Sequence, residues 1–182
     1  MSYEIVTYGA SVLREKAEPV GVITDELRKL AEAMLETMYA SNGAGLAAEQ
    51  IGRTEAICVI DVSGRPDDDD PAPASDVPMP LILVNPRITG SEGRQVGQEG
   101  CLSFPEIFVN IERAEWARVV FTDLDGRECE IEATGLLARA VQHELDHLNG
   151  VLLVDRMTPV QKIALSGKLK RLRKSRNRGF VG

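Results

Sequence analysis

The chain has 182 residues, 43% of them apolar, and a formal net charge of −7 at pH 7. That length and apolar content suffice for one domain with its own core, which we expect to span residues 1–182. No stretch approaches the roughly 18 apolar residues of a membrane span, the N-terminus has no leader-like pattern, and three cysteines fit a reducing compartment, so we expect a cytoplasmic protein that does not enter a membrane.

The pattern of apolar residues predicts an α+β fold: one compact domain with antiparallel or mixed sheets around a central helix, plus a C-terminal helix. Helical spacing and an acidic first turn predict a helix over residues 25–40. Short apolar or alternating runs predict strands at residues 56–61, 81–85, 107–112, 117–123 and 127–133. A second helix is predicted over residues 136–148, with Gly150 as its stop, and a last helix begins at Pro159.

Two charged segments stand out from this pattern. Residues 65–80 contain four consecutive aspartates and five prolines, which predicts an acidic surface loop. Residues 158–182 contain eight Lys or Arg and no acidic residue, which leaves a charge of −15 on the rest of the chain. A helix here can dock by its leucines and present its cations to a polyanion. The alternative is a helix that neutralises its own acidic domain.

The two histidines of the chain, His143 and His147, are separated by four positions in the string QHELDH. On a helix this spacing puts both imidazoles on one face, where they can bind one divalent metal ion. Glu144 follows the first histidine, as the general base does in metal-dependent hydrolases. The alternative is a pair of exposed histidines without a metal.

A catalytic metal of this kind normally has three protein ligands, so a third must lie elsewhere in the chain. No glutamate follows Glu144, and Leu153 occupies the place of the third histidine in the longer HExxHxxGxxH motif. Both common peptidase patterns therefore lack a ligand. Asp155 lies past the predicted end of the helix, so an upstream ligand is favoured.

The cysteines are the upstream candidates. Cys58 lies in an apolar run that predicts a buried strand, and Cys129 alternates with charged residues in another strand, so both are interpreted as structural. Cys101 lies among glycines, a carboxylate and a proline in GQEGCLSFP. Such a segment holds the backbone in a fixed, non-helical path, which favours Cys101 as part of a site.

Three segments together resemble the motifs of the peptide deformylase family in order and spacing. They are GAGLAAEQ at residues 43–50, EGCLS at residues 99–103 and QHELDH at residues 142–147. The resemblance extends from about residue 5 to about residue 156. It implies removal of the N-formyl group from the initiator methionine of nascent polypeptides, with release of formate.

The resemblance also implies a role for individual residues. Cys101, His143 and His147 would bind one divalent metal ion, Fe(II) in the cell, with zinc, nickel or cobalt accepted in preparations. Glu144 would be the general base, and the Gln50 amide and the Leu102 backbone N–H would stabilise the oxyanion. The substrate pocket would be formed by Gly43, Ala44, Gly45, Leu102, Arg139, Ala140 and His143. Metal-binding histidines generally need a hydrogen-bonding partner that fixes their orientation, and the nearby candidates are Glu99, Gln142 and Asp146. The resemblance further implies that Arg113 pairs with Asp146.

Two positions depart from the common family pattern: Ala44 replaces a bulkier residue and Arg139 replaces an aliphatic one. They predict a wider or more polar pocket rim. The expected partners are N-formylmethionyl peptides and, through the basic C-terminal helix, ribosomal RNA; we expect a monomer. The two alternative functions are a generic zinc peptidase, which the absent downstream ligand disfavours, and a metal-stabilised RNA-binding module, which leaves Glu144 and Gln50 without a role.

Overall fold

The computed structural model describes residues 2–65 and 76–177. Its helices are α1 (Asp25–Ala40), α2 (Gly135–Leu148), α3 (Leu153–Arg156) and α4 (Pro159–Asn177). Its strands are β1 (Gly45–Ala47), β2 (Ile57–Ile60), β3 (Leu81–Glu92), β4 (Gln95–Cys101), β5 (Phe104–Arg113), β6 (Trp116–Thr122) and β7 (Glu128–Thr134). Short 3-10 turns lie at Ser11–Arg14 and Ala48–Ile51.

Two antiparallel sheets form the β part of the fold. Five strands pair in the order β1-β2-β3-β6-β7, and β4 and β5 form a separate hairpin. The α+β prediction, with a central helix and a C-terminal helix, is therefore confirmed.

Helix α2 lies between the two sheets because it packs an apolar face on one sheet and a polar face on the other. Its apolar residues Leu137, Val141, Leu145 and Leu148 are buried against the five-stranded sheet, at the spacing of one helix face. The adjoining face carries His143 and His147, which contact residues of β4. The fold thereby brings the HExxH helix against the EGCLS segment.

The predicted helices agree closely with the structure. Helix α1 covers residues 25–40 as predicted, and Thr24 caps it by accepting a hydrogen bond of 3.2 Å from the Leu27 N–H. Helix α2 begins one residue earlier than predicted. Helix α4 begins at Pro159 as predicted, with Thr158 and Gln161 forming reciprocal capping hydrogen bonds of 2.8 and 3.2 Å.

All five predicted strands are present, but two further strands were not predicted. Strand β1 has only three residues and lies inside the first motif. Strand β4 contains Gly97 and Gly100, which weaken any strand signal, and it depends on pairing with β5. The predicted spans of β3 and β5 were also too short. Strand β3 continues through mostly polar residues to Glu92, which pair with β6, and β5 begins at the buried Phe104, three residues before the predicted start.

The two charged segments are described only in part. Most of the predicted acidic loop at 65–80, and residues 178–182 of the tail, lie outside the described residues. The described part of α4 docks by its leucines: Leu169 is buried, and Leu165 and Leu172 are half-buried. Arg173 lies 4.8 Å above the Tyr8 ring and donates a 2.7 Å hydrogen bond to its hydroxyl. None of the described helices has the length and apolar character needed to cross a membrane.

Candidate active site

The three predicted metal ligands converge at the junction of β4 and α2. The Sγ of Cys101 lies 3.3 Å from Nε2 of His147, and the ligand atoms of Cys101, His143 and His147 all lie within 4.8 Å of one another. In a tetrahedral site with metal–sulfur and metal–nitrogen bonds of about 2.3 and 2.0 Å, sulfur and nitrogen are about 3.5 Å apart. The spacing of these donor atoms therefore fits one divalent ion.

Glu99 orients His143 from the side opposite the candidate metal. Its Oε2 lies 3.0 Å from Nδ1 of His143, so the other ring nitrogen is directed to the shared site. Arg113 donates to both Glu99 oxygens, at 2.8 and 2.9 Å. Burial raises the pKa of Glu99, but hydrogen bonds from Arg113 and His143 outweigh it and hold that pKa well below its usual range. Glu99 is thus an ionised acceptor at neutral pH.

Asp146 anchors the arginines beside the histidines instead of orienting a histidine. The expected contact with Arg113 is present at 2.6 Å, and Arg156 forms two further hydrogen bonds to the Asp146 carboxylate at 2.9 and 2.6 Å. Nδ1 of His147 is buried and has no hydrogen-bond partner among the described residues. Burial lowers the pKa of His147 well below its usual value, which favours the neutral form that binds metals.

Glu144, which follows the ligand His143 in the chain, is buried, with 4% of its surface exposed. Burial raises the pKa of its carboxyl to about 7, which suits a general base at neutral pH. Gly45 lies directly against this carboxylate: a Cβ at residue 45 would clash with Oε1 and lie 2.8 Å from Cδ of Glu144. The glycine in the first motif is therefore needed to make room for the carboxylate of the third.

Gln50 has a fixed amide orientation. Its Oε1 accepts a 2.9 Å hydrogen bond from the Ala47 N–H, so its NH₂ group points to Ser103 Oγ at 3.2 Å and to Cys101 Sγ at 3.5 Å. Sequence reasoning did not assign a role to Ser103, which is fully buried. The available signal was its place at the end of the EGCLS motif.

The first and second motifs also meet near Leu102, which follows Cys101 in the turn between β4 and β5. A Cβ at Gly43 would lie 2.8 Å from Cδ1 of Leu102, so these residues are in close contact. Gly43, Ala44, Gly45 and Ala140 are half-buried, and Ala140 also packs against the core of the five-stranded sheet.

Two predicted site residues point elsewhere. Gln142 accepts a hydrogen bond from the backbone N–H of Ala114 at 3.0 Å and donates one to its C=O at 2.9 Å, so it ties the middle of α2 to the β5–β6 connection rather than orienting a ligand histidine. Arg139 does not form an exposed polar rim: it is 7% exposed, and its guanidinium is hydrogen-bonded to the β4–β5 hairpin. Arg139 lies one turn before His143 on the face of α2 that contacts the hairpin, and Gln142 lies next to the β5–β6 connection.

Most of the chain is similar to known deformylases. The family model described as polypeptide deformylase matches residues 2–163. Peptide deformylase of Thermodesulfovibrio yellowstonii is 44% identical over 167 residues, which cover 92% of this chain and 96% of that protein. Peptide deformylase 2 of Gloeobacter violaceus is 45% identical over 166 residues, covering 91% and 83% of the two chains.

Solved structures agree with this result. The crystal structure of peptide deformylase from Thermus thermophilus matches with a TM-score of 0.83 and 38% identity, covering 95% of this chain and 98% of that one. The structure from Thermotoga maritima matches with a TM-score of 0.78 and 41% identity, covering 87% and 99%. With its Cys-His-His cluster in place, the chain belongs to the polypeptide deformylase family, the metal-dependent hydrolases that remove the N-formyl group from nascent polypeptide chains.

Proposed function

We propose that this chain deformylates N-formylmethionyl peptides at a single divalent metal ion bound by Cys101, His143 and His147. The observation that carries the proposal is the convergence of their ligand atoms to within 4.8 Å of one another. A divalent ion held by such ligands lowers the pKa of a water molecule to about 7 and polarises the carbonyl to be attacked.

Glu144 is the proposed proton carrier. Its carboxylate accepts the proton of the attacking water and delivers it to the departing amine, which cannot leave unprotonated. A shuttle of this kind contributes roughly 10²-fold to 10⁴-fold to the rate. The buried carboxyl, with a pKa raised to about 7, supports this role. A divalent ion bound beside Glu144 would lower that pKa, so the fall in kcat on the acidic side of the pH profile is expected at or below pH 7.

Gln50 and the backbone N–H of Leu102 are the proposed oxyanion donors. The hydrogen bond from Ala47 to Gln50 Oε1 supports this role, because it keeps the amide N–H groups turned to the reacting centre. One well-placed amide donor contributes about 3 kcal/mol to transition-state stabilisation.

The methionine side chain is proposed to bind between the first motif and α2. The pocket residues are Gly43, Ala44, Gly45, Leu102, Ala140 and His143. The close contact of Gly43 with Leu102 and the small side chain of Ala44 support a pocket for one unbranched apolar side chain. Glu99, Arg113 and Asp146 form the proposed support around the ligands.

Ferrous iron is the proposed ion in the cell, because a thiolate with two imidazoles accepts several first-row divalent ions and availability then decides. Protein purified without oxygen is expected to contain about one metal ion per chain, mainly iron. His147→Ala should lose most of this metal, whereas Cys129→Ala, at a strand cysteine outside the cluster, should retain it. Equal metal content in the two variants would contradict the ligand assignment.

The basic helix α4 is proposed to bind ribosomal RNA near the emerging substrate. Its leucines pack on the domain, while Lys162, Lys168, Lys170, Arg171 and Lys174 are exposed. Cations held on a docked helix form the kind of electrostatic surface that binds a polyanion. We further propose that the chain is a monomeric single domain that acts in the cytoplasm, where formylated chains emerge.

Neutralising the helix tests the ribosome proposal. The variant Lys168→Gln/Lys170→Gln/Lys174→Gln is expected to co-sediment with ribosomes about tenfold less well at low salt, with a shallower salt dependence. The control Lys16→Gln/Lys29→Gln also removes exposed lysines, but from outside α4, and should bind like the wild type. If α4 only neutralises its own domain, the triple variant will lose thermal stability and keep its ribosome binding.

A further inference from the structure

The guanidinium of Arg139 occupies space that a side chain at residue 97 would otherwise fill. An ideal Cβ at Gly97 would lie 2.6 Å from Nη2 and 3.0 Å from Cζ of Arg139. Real Cβ atoms essentially never come within 3.0 Å of another residue's atoms. A side chain at residue 97 would therefore have to push the guanidinium, the end of a flexible side chain, out of its present position, and the cost of that shift depends on the contacts that hold the guanidinium there. In this sense Gly97 and Arg139 form a matched pair across α2 and β4.

The position is held by hydrogen bonds that leave the guanidinium little freedom to move. Nη1 donates to the backbone oxygens of Gly97 and Ile111 at 3.2 and 3.0 Å, and Nη2 donates to Gln95 Oε1 at 3.1 Å. Gly97 and Ile111 are register partners in the β4–β5 hairpin. Arg139 thus fastens α2 to both strands of the hairpin.

The same guanidinium completes the hydrogen bonding of Glu99. Nη1 of Arg139, whose two N–H groups are shared among Gly97, Ile111 and Glu99, lies 3.2 Å from Oε1, which also accepts from Arg113. Oε2 accepts from Arg113 and lies 3.0 Å from His143 Nδ1. Four donors surround one buried carboxylate, which matches its capacity of about four acceptor positions. All the acceptor positions of the Glu99 carboxylate are therefore occupied, which holds the carboxylate in one orientation.

Two of these donors, on Arg139 and His143, come from successive turns of α2. A single carboxylate on β4 therefore contacts the helix at two points, and this arrangement fixes the rotation of the helix about its own axis. We propose that Arg139 is a positioning residue that acts through Glu99 to hold His143 in its metal-binding orientation, and that Gly97 is the residue that makes this possible. The proposal rests on the ligand role proposed for His143.

A double-mutant cycle tests this pairing. Gly97→Ala places a methyl group against the guanidinium and should displace it, so metal loss to a chelator is expected to be about 10-fold to 100-fold faster than in the wild type. Arg139→Leu should accelerate metal loss by a similar factor. In the Arg139→Leu protein the space is vacant, so adding Gly97→Ala should cause no further acceleration. Arg118→Leu, at an arginine paired with exposed glutamates, is the control and should leave metal loss unchanged.

Thermal stability and the absorption spectrum of the cobalt-loaded protein separate positioning from general support. Gly97→Ala is expected to change the ligand-field bands and the rate of metal loss. Arg139→Lys, which retains a cation for Glu99, should change both less than Arg139→Leu does. Effects of Gly97→Ala and Arg139→Leu that simply multiply would overturn the pairing. A lower thermal stability with unchanged ligand-field bands and an unchanged rate of metal loss would overturn the positioning role. If Arg139→Leu does not fold, the same comparison is made with Gly97→Ala and Arg139→Lys.

These measurements follow the metal and not the release of formate. Faster metal loss from Gly97→Ala in a protein that does not deformylate would support the inference and contradict the proposed function. Normal deformylation with unaltered metal loss in Gly97→Ala would contradict the inference alone.

Discussion

Glu144→Gln is expected to lower the rate of formate release by about 10²-fold to 10⁴-fold at neutral pH without loss of the metal. Glutamine has the size of glutamate, so it fits the buried space beside Gly45, but its amide cannot accept and return a proton. Because the base has no role in holding substrate, KM should change little and the loss should appear in kcat. The measurement is steady-state kinetics at matched metal content.

The control for this variant is Glu128→Gln, which removes an exposed carboxylate paired with Arg87 outside the site. It should have wild-type kinetics. A Glu144→Gln protein that keeps more than a tenth of the wild-type kcat would show that another group carries the proton.

Glu49→Gln is expected to stabilise the protein by about 4 kcal/mol at pH 8 and to have little effect near pH 4.5. Glu49 is fully buried, and neither carboxylate oxygen has a hydrogen-bond partner among the described residues. Burial raises the pKa of this carboxyl to about 8, and the charge of Glu144 adds to the shift. The carboxyl is therefore protonated in the folded protein under conditions where it is ionised in the unfolded chain.

The sign follows from proton binding. Between pH 4.5 and about 8 the folded state holds a proton that the unfolded state has released, so the free energy of unfolding falls as pH rises through this window. Glutamine does not titrate and removes this loss. Urea unfolding of both proteins at pH 5 and pH 8, in the same metal state, gives the difference directly. A stability difference that does not change with pH would contradict the raised pKa.

The sequence was sufficient for those parts of the fold that depend on local patterns. Helix α1 was predicted to the residue because its apolar spacing, acidic first turn and following Asn-Gly turn all lie within the helix or beside it. The His143 and His147 pair was equally local, since both residues lie on one helix. The neighbours of Cys101 favoured it as part of a site, but its role as the third ligand required the resemblance to a family, because nothing near it in the chain specifies which distant helix it meets.

Contacts that depend on register and on side-chain direction could not be predicted in the same way. The contact of Glu99 with His143 exists because β4 and β5 pair in one register, and β4 itself has too many glycines to be recognised as a strand. The direction of Arg139 depends on a missing side chain at Gly97, 42 residues earlier. Ser103 was missed because its partner, Gln50, lies 53 residues earlier. Arg156 was missed although its partner, Asp146, lies only ten residues earlier, because the turn after α2 decides whether the two side chains meet.

The most direct test is the release of formate from formyl-Met-Ala-Ser by anaerobically prepared, iron-loaded protein, before and after removal of the metal with a chelator. The proposed function predicts turnover by the loaded protein, its loss on chelation and its return when Fe(II) is restored, with no cleavage of the same peptide lacking the formyl group. A metal-loaded protein that releases no formate, or one that turns over equally well after the metal is removed, would contradict it.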